Sequence, residues 1–555
     1  MIRWTPRSLT VLRSYDLATF TSDLIAGVTV GFVALPLAMA FAIASGMPPQ
    51  TGIYCAIVAG FLTSALGGSA TAIGGPTGAF VVVVAGIIAK YGVDGLYMCT
   101  MMAGVMLLAM GVSGLGSAVK FIPRPVVVGF TNGIAVLIAS TQIRDFFGLQ
   151  PGAIPNDFVG RIRILAVHFN TASGAATLLG VATLAIVVII PRLFERVPGT
   201  IVAMFGLTIV ASLTGLPVET IGSRFGGVPS GLPHLVVPRF HVSLVLNLLS
   251  PAMTVALLGA VESLLSATVA DRMSGTRHDP NVELMAQGVA NIASPLVGGL
   301  PATGAIARTA TNIRSGGKTP VAGMIHSVTL LMILLVAAPL AARVPLAVLA
   351  GILFVVAYNM GEWREIPALL KLTKADIAVW LTTFTLTVLA DLSVAVEVGM
   401  VLAALLFIRR VAQTTSVARV TGRLIDEGAI HSLQGTTVPP YAALYRIHGP
   451  FLFGATDKLS KILDHITTLP PIVILRLRHV PAMDASGLQA LEDLADRLKQ
   501  SGRTLILCGA RDQPASLMRR AEFHEHLGDA NICPNIRAAL RRAEQLARTS
   551  SSLVL

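Results

Sequence analysis

The sequence contains few charged residues: Asp, Glu, Lys and Arg make up 13% of its 555 residues, whereas 54% are hydrophobic. Its mean hydropathy is +0.75. This composition places the chain among polytopic membrane proteins rather than soluble ones. The scarcity of charge is uneven, because charged residues are sparse up to about residue 408 and frequent afterwards. We therefore predict a membrane domain over residues 1–408, a linker over 409–440 and a soluble domain over 441–548.

Cysteine is equally scarce. The four residues, Cys55, Cys99, Cys508 and Cys533, show neither metal-binding nor redox spacing, so we expect free thiols. No nucleophile–base pair and no cluster of metal ligands is evident, which argues against an enzyme and against a bound metal or cofactor. A cleavable signal peptide is not predicted either, because the N-terminal stretch is polar and lacks an apolar centre.

Apolar runs long enough to cross about 30 Å of hydrocarbon recur along the first 408 residues. They predict about fourteen spans, arranged as seven plus seven. The predicted spans lie near residues 23–45, 51–67, 74–89, 94–117, 126–143, 173–191, 198–216, 249–270, 284–297, 303–313, 320–342, 345–360, 375–390 and 392–408. The third and the tenth are short and interrupted by Gly and Pro, in the same place in each half.

The chain carries a formal net charge of +12. We attribute it to anchoring of inter-span segments at the inner membrane face rather than to nucleic-acid binding. Basic residues concentrate in alternate segments, such as those that hold Arg124, Arg192, Arg272, Arg314 and Arg409. The positive-inside rule then places the N-terminus in the cytoplasm, and an even number of spans places the soluble domain there too. We expect a multi-pass protein of the inner (plasma) membrane.

Two similar interruptions stand out within these apolar runs. Residues 74–80 read Gly-Gly-Pro-Thr-Gly-Ala-Phe, and residues 298–305 read Gly-Gly-Leu-Pro-Ala-Thr-Gly-Ala. Backbone groups freed at this depth cost several kcal/mol each unless they line a protein cavity. Broken helices at matching positions of two halves indicate a transporter's binding site. We expect each Thr-Gly-Ala to begin a half-helix whose free N–H groups and positive end face a common point, which suits an anion.

Three side chains near these interruptions are candidates for transport. Glu262 lies in the middle of the eighth span and is suited to bind a proton or a sodium ion; alternatively, neighbouring hydroxyl and backbone groups satisfy it. Arg308 could attract an anion or pair with Glu262, or its charged end could reach the inner surface. Pro36 is expected to break the first span, and Phe41 beyond it could form the wall of a cavity or serve only in packing.

These stretches carry a family resemblance. Residues 36–42 (Pro-Leu-Ala-Met-Ala-Phe-Ala), the interruption at 75–80, the stretch from Glu262 to Pro301 and residues 304–309 (Gly-Ala-Ile-Ala-Arg-Thr) resemble the sulfate permease family, also called solute carrier family 26. The likeness runs from about residue 20 to the C-terminus. Within that family the chain looks most similar to bacterial members related to C4-dicarboxylate transporters.

The resemblance implies a seven-plus-seven inverted repeat, divided into a core domain of spans one to four and eight to eleven and a gate domain of the rest. Glu262 would occupy the acidic position associated with ion coupling. Leu37 replaces the Gln that many relatives have after the span-one Pro, which removes a polar ligand for inorganic sulfate. The resemblance places these residues around the substrate: Phe41, Thr77, Gly78, Ala79, Ala305, Ala307 and Arg308. Thr303 and Gly304, which belong to the second Thr-Gly-Ala, are also candidate substrate-binding residues.

The soluble domain has the pattern of a small α/β fold. Residues 441–447, 472–477 and 504–508 alternate or run apolar like strands, and residues 488–498 have helical spacing, which predicts a sheet covered by helices. The turn at residues 483–488 resembles the Asp-x-Ser-Gly loop of STAS domains, whose Ser is phosphorylated in anti-sigma factor antagonists. Ser486 is therefore a candidate regulatory residue; the alternative is a helix N-cap.

The predicted fold is an all-α polytopic membrane domain of about 14 spans with core and gate domains, followed by a cytoplasmic α/β STAS domain. We expect a homodimeric secondary active transporter of a small anion that works by alternating access. The expected process is proton-coupled symport of a dicarboxylate or of an inorganic anion such as sulfate, with a cytoplasmic partner for the STAS domain. The open alternatives are a sodium-coupled bicarbonate or sulfate carrier, an uncoupled anion channel, and a sensor of anion occupancy.

Overall fold

The structure is a computed structural model of the chain. It describes residues 4–11, 15–117, 123–155, 157–194, 198–236, 238–239, 241–390, 392–420, 437–459, 462 and 466–551. The chain divides into two compact units, Met1–Val401 and Leu402–Leu555. The first unit is almost wholly helical in its described residues, and the second contains a five-stranded sheet.

The helices of the first unit are numbered in chain order, and the last one crosses the boundary between the units. They are α1 (Arg7–Val11), α2 (Leu17–Ala44), α3 (Pro49–Leu66), α4 (Ala79–Val112), α5 (Arg124–Phe147), α6 (Phe158–Val167), α7 (Gly174–Leu193), α8 (Gly199–Thr214), α9 (Ile221–Phe225), α10 (Val245–Ser274), α11 (Pro280–Ala293), α12 (Ile306–Arg314), α13 (Pro320–Ala341), α14 (Leu346–Met360), α15 (Ile366–Leu369), α16 (Lys374–Leu389) and α17 (Leu392–Thr414). Two short strands, β1 (Gly74–Gly75) and β2 (Thr303–Gly304), interrupt this series.

Every predicted span corresponds to a helix or to part of one. By length and composition, 8 described segments could each cross a membrane; they coincide with α2, α3, α4, α5, α7, α10, α13 and α14. The other predicted spans fall on α8, α11, α12, α16 and α17. The third and fourth spans lie in the single helix α4, which is non-helical only at Gly92 (φ 71°, ψ −176°), so the expected boundary is a kink.

One expectation about the first span is wrong. The helix α2 continues from Leu17 to Ala44 with Pro36 inside it, so this proline does not break the span. A proline removes one backbone hydrogen bond from a helix, but membrane helices tolerate that loss when neighbouring groups satisfy the freed carbonyl. The packing of α2 against α3 and α13 holds the helix in place. The short helix α6 was not predicted from the sequence.

The membrane helices form two bundles, and each bundle takes members from both halves of the chain. Small residues allow helices from the two halves to pack closely. In the contact of α4 with α11, for example, a Cβ added at Gly104 would lie only 2.7 Å from the carbonyl oxygen of Gly288. The core bundle consists of α2, α3, α4, α10, α11, α12 and α13. The gate bundle consists of α5, α7, α8, α14 and α16. This division agrees with the expected core and gate domains.

The second unit is an α/β domain whose sheet order is β3-β4-β5-β6-β7. Its strands are β3 (Ser416–Arg419), β4 (Ala442–His448), β5 (Ile472–His479), β6 (Thr504–Cys508) and β7 (Ile532–Cys533). Its helices are α18 (Ala485–Gln500), α19 (Asp512–Arg520), α20 (Phe523–Leu527) and α21 (Ile536–Ser551). Only β3 is antiparallel to its neighbour. Buried side chains such as Leu491 and Phe523 pack on one face of the sheet, and Ala539 and Ala543 pack on the other.

The segment 409–440, which the sequence predicts to be a linker, contains β3. A four-residue edge strand is too short to show a clear period of two, so only its pairing with β4 identifies it. Residues 421–436 of that predicted linker lie outside the described residues.

Candidate functional site

The two interrupted segments meet each other inside the core bundle. Gly74 pairs with Gly304 and Gly75 with Thr303 in an antiparallel arrangement of β1 and β2. The N–H of Ala305 also donates to the carbonyl oxygen of Ile73 at 2.7 Å. The backbone groups that each broken helix leaves without an intrahelical partner are therefore partly satisfied by the other broken helix, as required in a water-poor region.

Glycine is required in both segments for steric reasons. Gly75 has φ 141°, and a Cβ added there would lie 2.4 Å from Nη1 of Arg308. A Cβ added at Gly304 would lie 2.9 Å from Cα of Ser263 in α10. At Gly304 the obstacle is the backbone of α10, so a larger residue would push the second segment away from that helix. At Gly75 a larger residue would displace the end of the Arg308 side chain and would also be strained by the positive φ.

Each segment is followed by a helix that starts without a side-chain cap. Gly78 is the N-cap residue of α4 and Ala305 is that of α12, and neither can supply a capping oxygen. The first N–H groups of a helix usually lack an i−4 carbonyl partner, and the helix dipole adds partial positive charge there. At α4 the N–H groups of Phe80 and Val81 donate to the carbonyl oxygens of Thr77 at 3.3 Å and Gly78 at 3.0 Å, so the dipole is the larger contribution of that helix. Two uncapped helix starts that face one cavity therefore form an arrangement suited to an anion.

Hydroxyl groups of α10 hold the second segment in place. Thr303 donates to the carbonyl oxygen of Gly259 at 3.0 Å and shares a 2.8 Å hydrogen bond with Ser263. Ser263 Oγ in turn accepts the N–H of Gly304 at 3.1 Å. One turn further along α10, Ser266 contacts Thr309 at 3.0 Å. This network fixes the position of the start of α12 relative to α10.

A cavity of about 380 Å³ lies beside the two helix starts and between the two bundles. Its walls come from the core helices α2, α10 and α12, from the gate helices α5 and α14, and from α17. The residues that line it are Leu37, Phe41, Pro76, Thr77, Gly78, Val126, Val127, Phe130, Thr131, Leu257, Leu258, Val261, Glu262, Leu265, Gly304, Ala305, Ile306, Ala307, Arg308, Val356, Asn359, Met360, Glu362 and Met400. A mostly apolar wall with a few polar groups is typical of a small-ligand site.

Glu262 lies at this cavity and contacts the first interrupted segment. The hydroxyl of Thr77 donates to Oε2 of Glu262 at 3.3 Å. The contact joins α10 to the segment that precedes α4, so the carboxylate is adjacent to a helix start that carries partial positive charge. The position agrees with both interpretations of Glu262 made from the sequence. A neighbouring hydroxyl satisfies its carboxylate, and the residue also faces the cavity, where it could bind an ion.

Arg308 is placed differently from the sequence expectations. Its guanidinium donates to the carbonyl oxygen of Gly74 at 3.5 Å and to that of Pro76. The side chain is buried at the cavity wall, and it forms no ion pair with Glu262 or with any other described residue. Arg308 therefore fixes the first interrupted segment with its hydrogen bonds and adds a positive charge beside the cavity.

Most of the predicted substrate-binding and ion-coupling residues line the cavity. Two nominated residues do not line it. Ala79 is fully buried at the start of α4, and Thr303 directs its hydroxyl at α10 rather than at the cavity. The nominated residues that line the cavity are Phe41, Thr77, Gly78, Glu262, Gly304, Ala305, Ala307 and Arg308.

The gate side of the cavity was not predicted from the sequence. Phe130 and Thr131 of α5 line it, as do Asn359, Met360 and Glu362 at the end of α14. A polar run after an apolar span signals only a membrane interface, so the sequence offers no sign that these side chains face Glu262. Their position follows from the packing of α14 against α5 and α2.

Two other carboxylates of the first unit are buried, whereas Glu262 is only half-buried. Glu283, 2% exposed, accepts the N–H groups of Gly68 at 3.0 Å and Ser69 at 3.2 Å. Asp23, fully buried, accepts the N–H groups of Lys318 at 2.8 Å and Thr319 at 3.2 Å. Both therefore fix turns between helices, whereas Glu262 faces the cavity.

In the second unit, Asp484 is the N-cap residue of α18. Its carboxylate accepts the N–H groups of Gly487 and Phe453, each at 2.9 Å. Ser486 lies in the first turn of α18, exposed to solvent. The N-cap role that was the alternative prediction for Ser486 is thus filled by Asp484.

Comparison with known proteins decides the family. A model of the sulfate permease family matches residues 20–383, and a model of the STAS domain matches residues 435–539. This chain belongs to the sulfate permease family. The member described here is 42% identical over 519 residues to Putative sulfate transporter YvdB of Bacillus subtilis, with 93% of this chain and 96% of that protein covered. It is 30% identical to Bicarbonate transporter BicA of Picosynechococcus, with 94% of both chains covered.

Solved structures support the fold of this sulfate permease family member. The overall structure of SLC26A9 superposes with a TM-score of 0.85 at 17% identity and covers 98% of this chain and 93% of its own. The transmembrane domain of BicA, from a cyanobacterium, superposes with a TM-score of 0.62 at 34% identity and covers 69% of this chain and 98% of its own. The fold is therefore a helical membrane domain followed by a STAS domain, as the sequence predicts.

The comparisons also bear on function. The relatives are named as transporters and not as enzymes, so this family member is an anion transporter and a multi-pass membrane protein. The expected likeness to C4-dicarboxylate transporters finds no support, because these relatives are named for sulfate or bicarbonate.

Proposed function

We propose that this protein is a proton-coupled secondary carrier of a small inorganic anion such as sulfate or bicarbonate, and that it works by alternating access. One observation carries the proposal: two hydrogen-bonded broken segments begin uncapped helices at a single cavity, and Glu262 lies at that cavity. The names of the relatives support an inorganic anion rather than a dicarboxylate.

The anion would bind at the starts of α4 and α12. Its charge would be stabilised by free N–H groups, the two helix dipoles and the guanidinium of Arg308. Ala305 and Gly78 leave the backbone accessible, and apolar side chains such as Phe41 keep most water out, which strengthens these electrostatic contacts. We therefore propose substrate-binding roles for the predicted site residues that line the cavity. Ala79 and Thr303, which do not line it, would act indirectly by positioning the others.

Glu262 would carry the coupling proton. The core bundle would move against the gate bundle with the anion bound, and a proton on Glu262 would reduce the charge that moves with it. Because Glu262 belongs to the core helix α10 and contacts Thr77, it would travel with the site. The cavity has walls from both bundles, so a relative displacement of the bundles would open it to one side at a time.

A sodium ion is the second candidate for coupling. The 3.3 Å contact of Thr77 with Glu262 brings a hydroxyl and a carboxylate oxygen together, and oxygen atoms are suitable ligands for a hard cation. A proton requires only Glu262, whereas a sodium ion would need further oxygens beside this pair. Proton coupling predicts that a pH gradient drives uptake, and sodium coupling predicts that a sodium gradient drives it.

The test is uptake of labelled sulfate and bicarbonate into proteoliposomes under imposed pH or sodium gradients. We expect a pH gradient to drive accumulation by the wild type. Glu262→Gln, which mimics the protonated carboxyl group, should retain anion exchange and lose accumulation. Glu397→Gln is the matched control, since Glu397 accepts a hydrogen bond from Ser250 at 2.7 Å and does not line the cavity. Equal accumulation by wild type and Glu262→Gln would refute proton coupling, and accumulation driven only by sodium would favour the second candidate.

The remaining proposals concern the cellular setting. Inner-membrane location with both termini in the cytoplasm rests on the distribution of Lys and Arg. A homodimer and a cytoplasmic partner of the STAS domain rest on the family. Phosphorylation of the exposed Ser486 would place a dianion in the first turn of α18, where the helix dipole favours negative charge.

A further inference from the structure

Glu362 has an unusual backbone conformation. It follows the end of α14 with φ 43° and ψ 35°, in the left-handed region. Helices often end with one residue in that region, and that residue is usually Gly because it has no Cβ. Here the neighbouring Gly361 adopts right-handed angles and the glutamate occupies the left-handed position. Such outliers persist when the surrounding structure imposes them, and they cluster at functional sites.

The surrounding contacts fix the backbone on both sides of Glu362. Before it, the carbonyl oxygen of Gly361 accepts a hydrogen bond from the side chain of Asn132, which is fully buried in α5. Asn132 is itself held by Trp380 of α16, whose Nε1 donates to its Oδ1 at 3.0 Å. After it, the N–H of Glu365 donates to the carbonyl oxygen of Glu362 at 2.9 Å.

The side chain of Glu362 lines the cavity from the gate side. Its carboxylate forms no hydrogen bond or ion pair with the described residues, whereas the nearby Glu365 pairs with Arg124 of α5. Glu262 lines the same cavity from the core side. The ionisable side chains of the cavity wall are therefore two carboxylates, one from each bundle, and the guanidinium of Arg308.

We propose that Glu362 determines which substrate charge the cavity accepts, by placing a fixed negative charge on the gate side, opposite the anion. This inference rests on the proposed function, because it assumes that the anion binds at the starts of α4 and α12. With both carboxylates ionised, the side-chain charge of the wall is −1. The repulsion between Glu362 and a dianion such as sulfate is twice that for a monoanion such as bicarbonate, so Glu362 favours the monoanion.

The expected size of the effect follows from Coulomb's law. Two unit charges about 4 Å apart in water interact by about 1 kcal/mol, which is about five-fold in a binding constant. Across the cavity the separation is longer and the screening weaker, and these two changes act in opposite directions, so we take about five-fold as the effect of one unit charge. Neutralising Glu362 should therefore strengthen the binding of a monoanion by about five-fold and that of a dianion by about 25-fold. The ratio of the two affinities should shift by about five-fold in favour of the dianion.

The test compares Glu362→Asn with Glu362→Asp in the full-length purified protein. Asn and Asp have the same shape and both tolerate left-handed angles, so the two variants differ in charge and should fold alike. Dissociation constants for sulfate and bicarbonate would be measured by calorimetry at one pH, with thermal unfolding as the check of folding. Glu365→Gln removes a nearby carboxylate that does not line the cavity and serves as the control.

We expect Glu362→Asn to shift the sulfate-to-bicarbonate affinity ratio by about five-fold, and Glu362→Asp and Glu365→Gln to leave it within about two-fold. An unchanged ratio in a folded Glu362→Asn protein would overturn the inference while leaving the proposed function intact. Absence of anion binding by the wild type, or binding unaffected by Ala305→Leu, would instead refute the site itself.

Discussion

Replacing Thr303 with Val tests whether the hydroxyl network on α10 positions the start of α12. Val has the size and branching of Thr but lacks the hydroxyl, so packing is retained and hydrogen bonds are lost. Thr303 is fully buried, donates to Gly259 and shares a hydrogen bond with Ser263. The carbonyl oxygen of Gly259 then loses this donor, and Ser263 retains only the N–H of Gly304.

The magnitude follows from these contacts. Leaving a buried polar group without its partner costs about 1–3 kcal/mol in the free energy of unfolding. One kcal/mol lowers Tm by about 2–4 °C in domains of 150–250 residues and by less in larger units, so we expect a fall of about 1–5 °C. If the free energy of sulfate binding falls by half of this amount, about 0.5–1.5 kcal/mol, the Kd for sulfate should rise by about two- to twelve-fold.

The assay is thermal unfolding and sulfate binding of purified wild type, Thr303→Val and Thr311→Val. Thr311 is the matched control, because it is half-buried on α12 and, among the described residues, its hydroxyl donates to the carbonyl oxygen of Ala307 in its own helix at 2.9 Å. Its replacement should change stability by less than about 0.5 kcal/mol. If Thr303→Val has the Tm and the Kd of the wild type, the network does not position the site and the argument fails.

Two further predictions follow from the same structure. Ala305→Leu should abolish anion binding in a folded protein, because Ala305 lies at the cavity wall at the start of α12 and a larger side chain would cover the free N–H groups; unchanged sulfate affinity would contradict the site. In the second unit, burial raises the pKa of the Cys508 thiol from 9.0 to about 12. Since the unfolded thiol loses its proton first, stability of this domain should fall as pH rises from 9 towards 12. Cys508→Ala should weaken that dependence in pH-dependent unfolding, and an identical pH profile would refute the assignment.

The placement of Arg308 refines the expected electrostatics of the site. A guanidinium that donates to the carbonyl oxygens of Gly74 and Pro76 has three of its five N–H donors left for an anion, and its orientation is set by the two carbonyl contacts. Its charge still acts at short range through a cavity with mostly apolar walls, where screening by water is weak. We therefore expect Arg308 to attract the anion through its charge and to keep the first segment rigid, while backbone N–H groups provide most of the direct hydrogen bonds.

The sequence alone determined the architecture of this protein. Apolar runs of sufficient length must lie in the membrane, and the shift in charge density near residue 408 separates the helical unit from the α/β unit. The paired Gly-Pro interruptions indicated the site, because broken backbone in a membrane requires a cavity or a partner. These are local properties of the chain, so they can be recognised before any contact between distant residues is known.

Tertiary structure decided which side chains face the cavity. The sequence could not show that Thr303 directs its hydroxyl at α10, that Arg308 is bound to carbonyl oxygens, or that Pro36 leaves α2 unbroken. Nor could it place Glu362 at the same cavity as Glu262, because the two residues belong to different bundles. The physical reason is that both the continuity of a helix and the direction of its side chains depend on how helices rotate and pack against each other, and that is set by contacts between residues far apart in the chain.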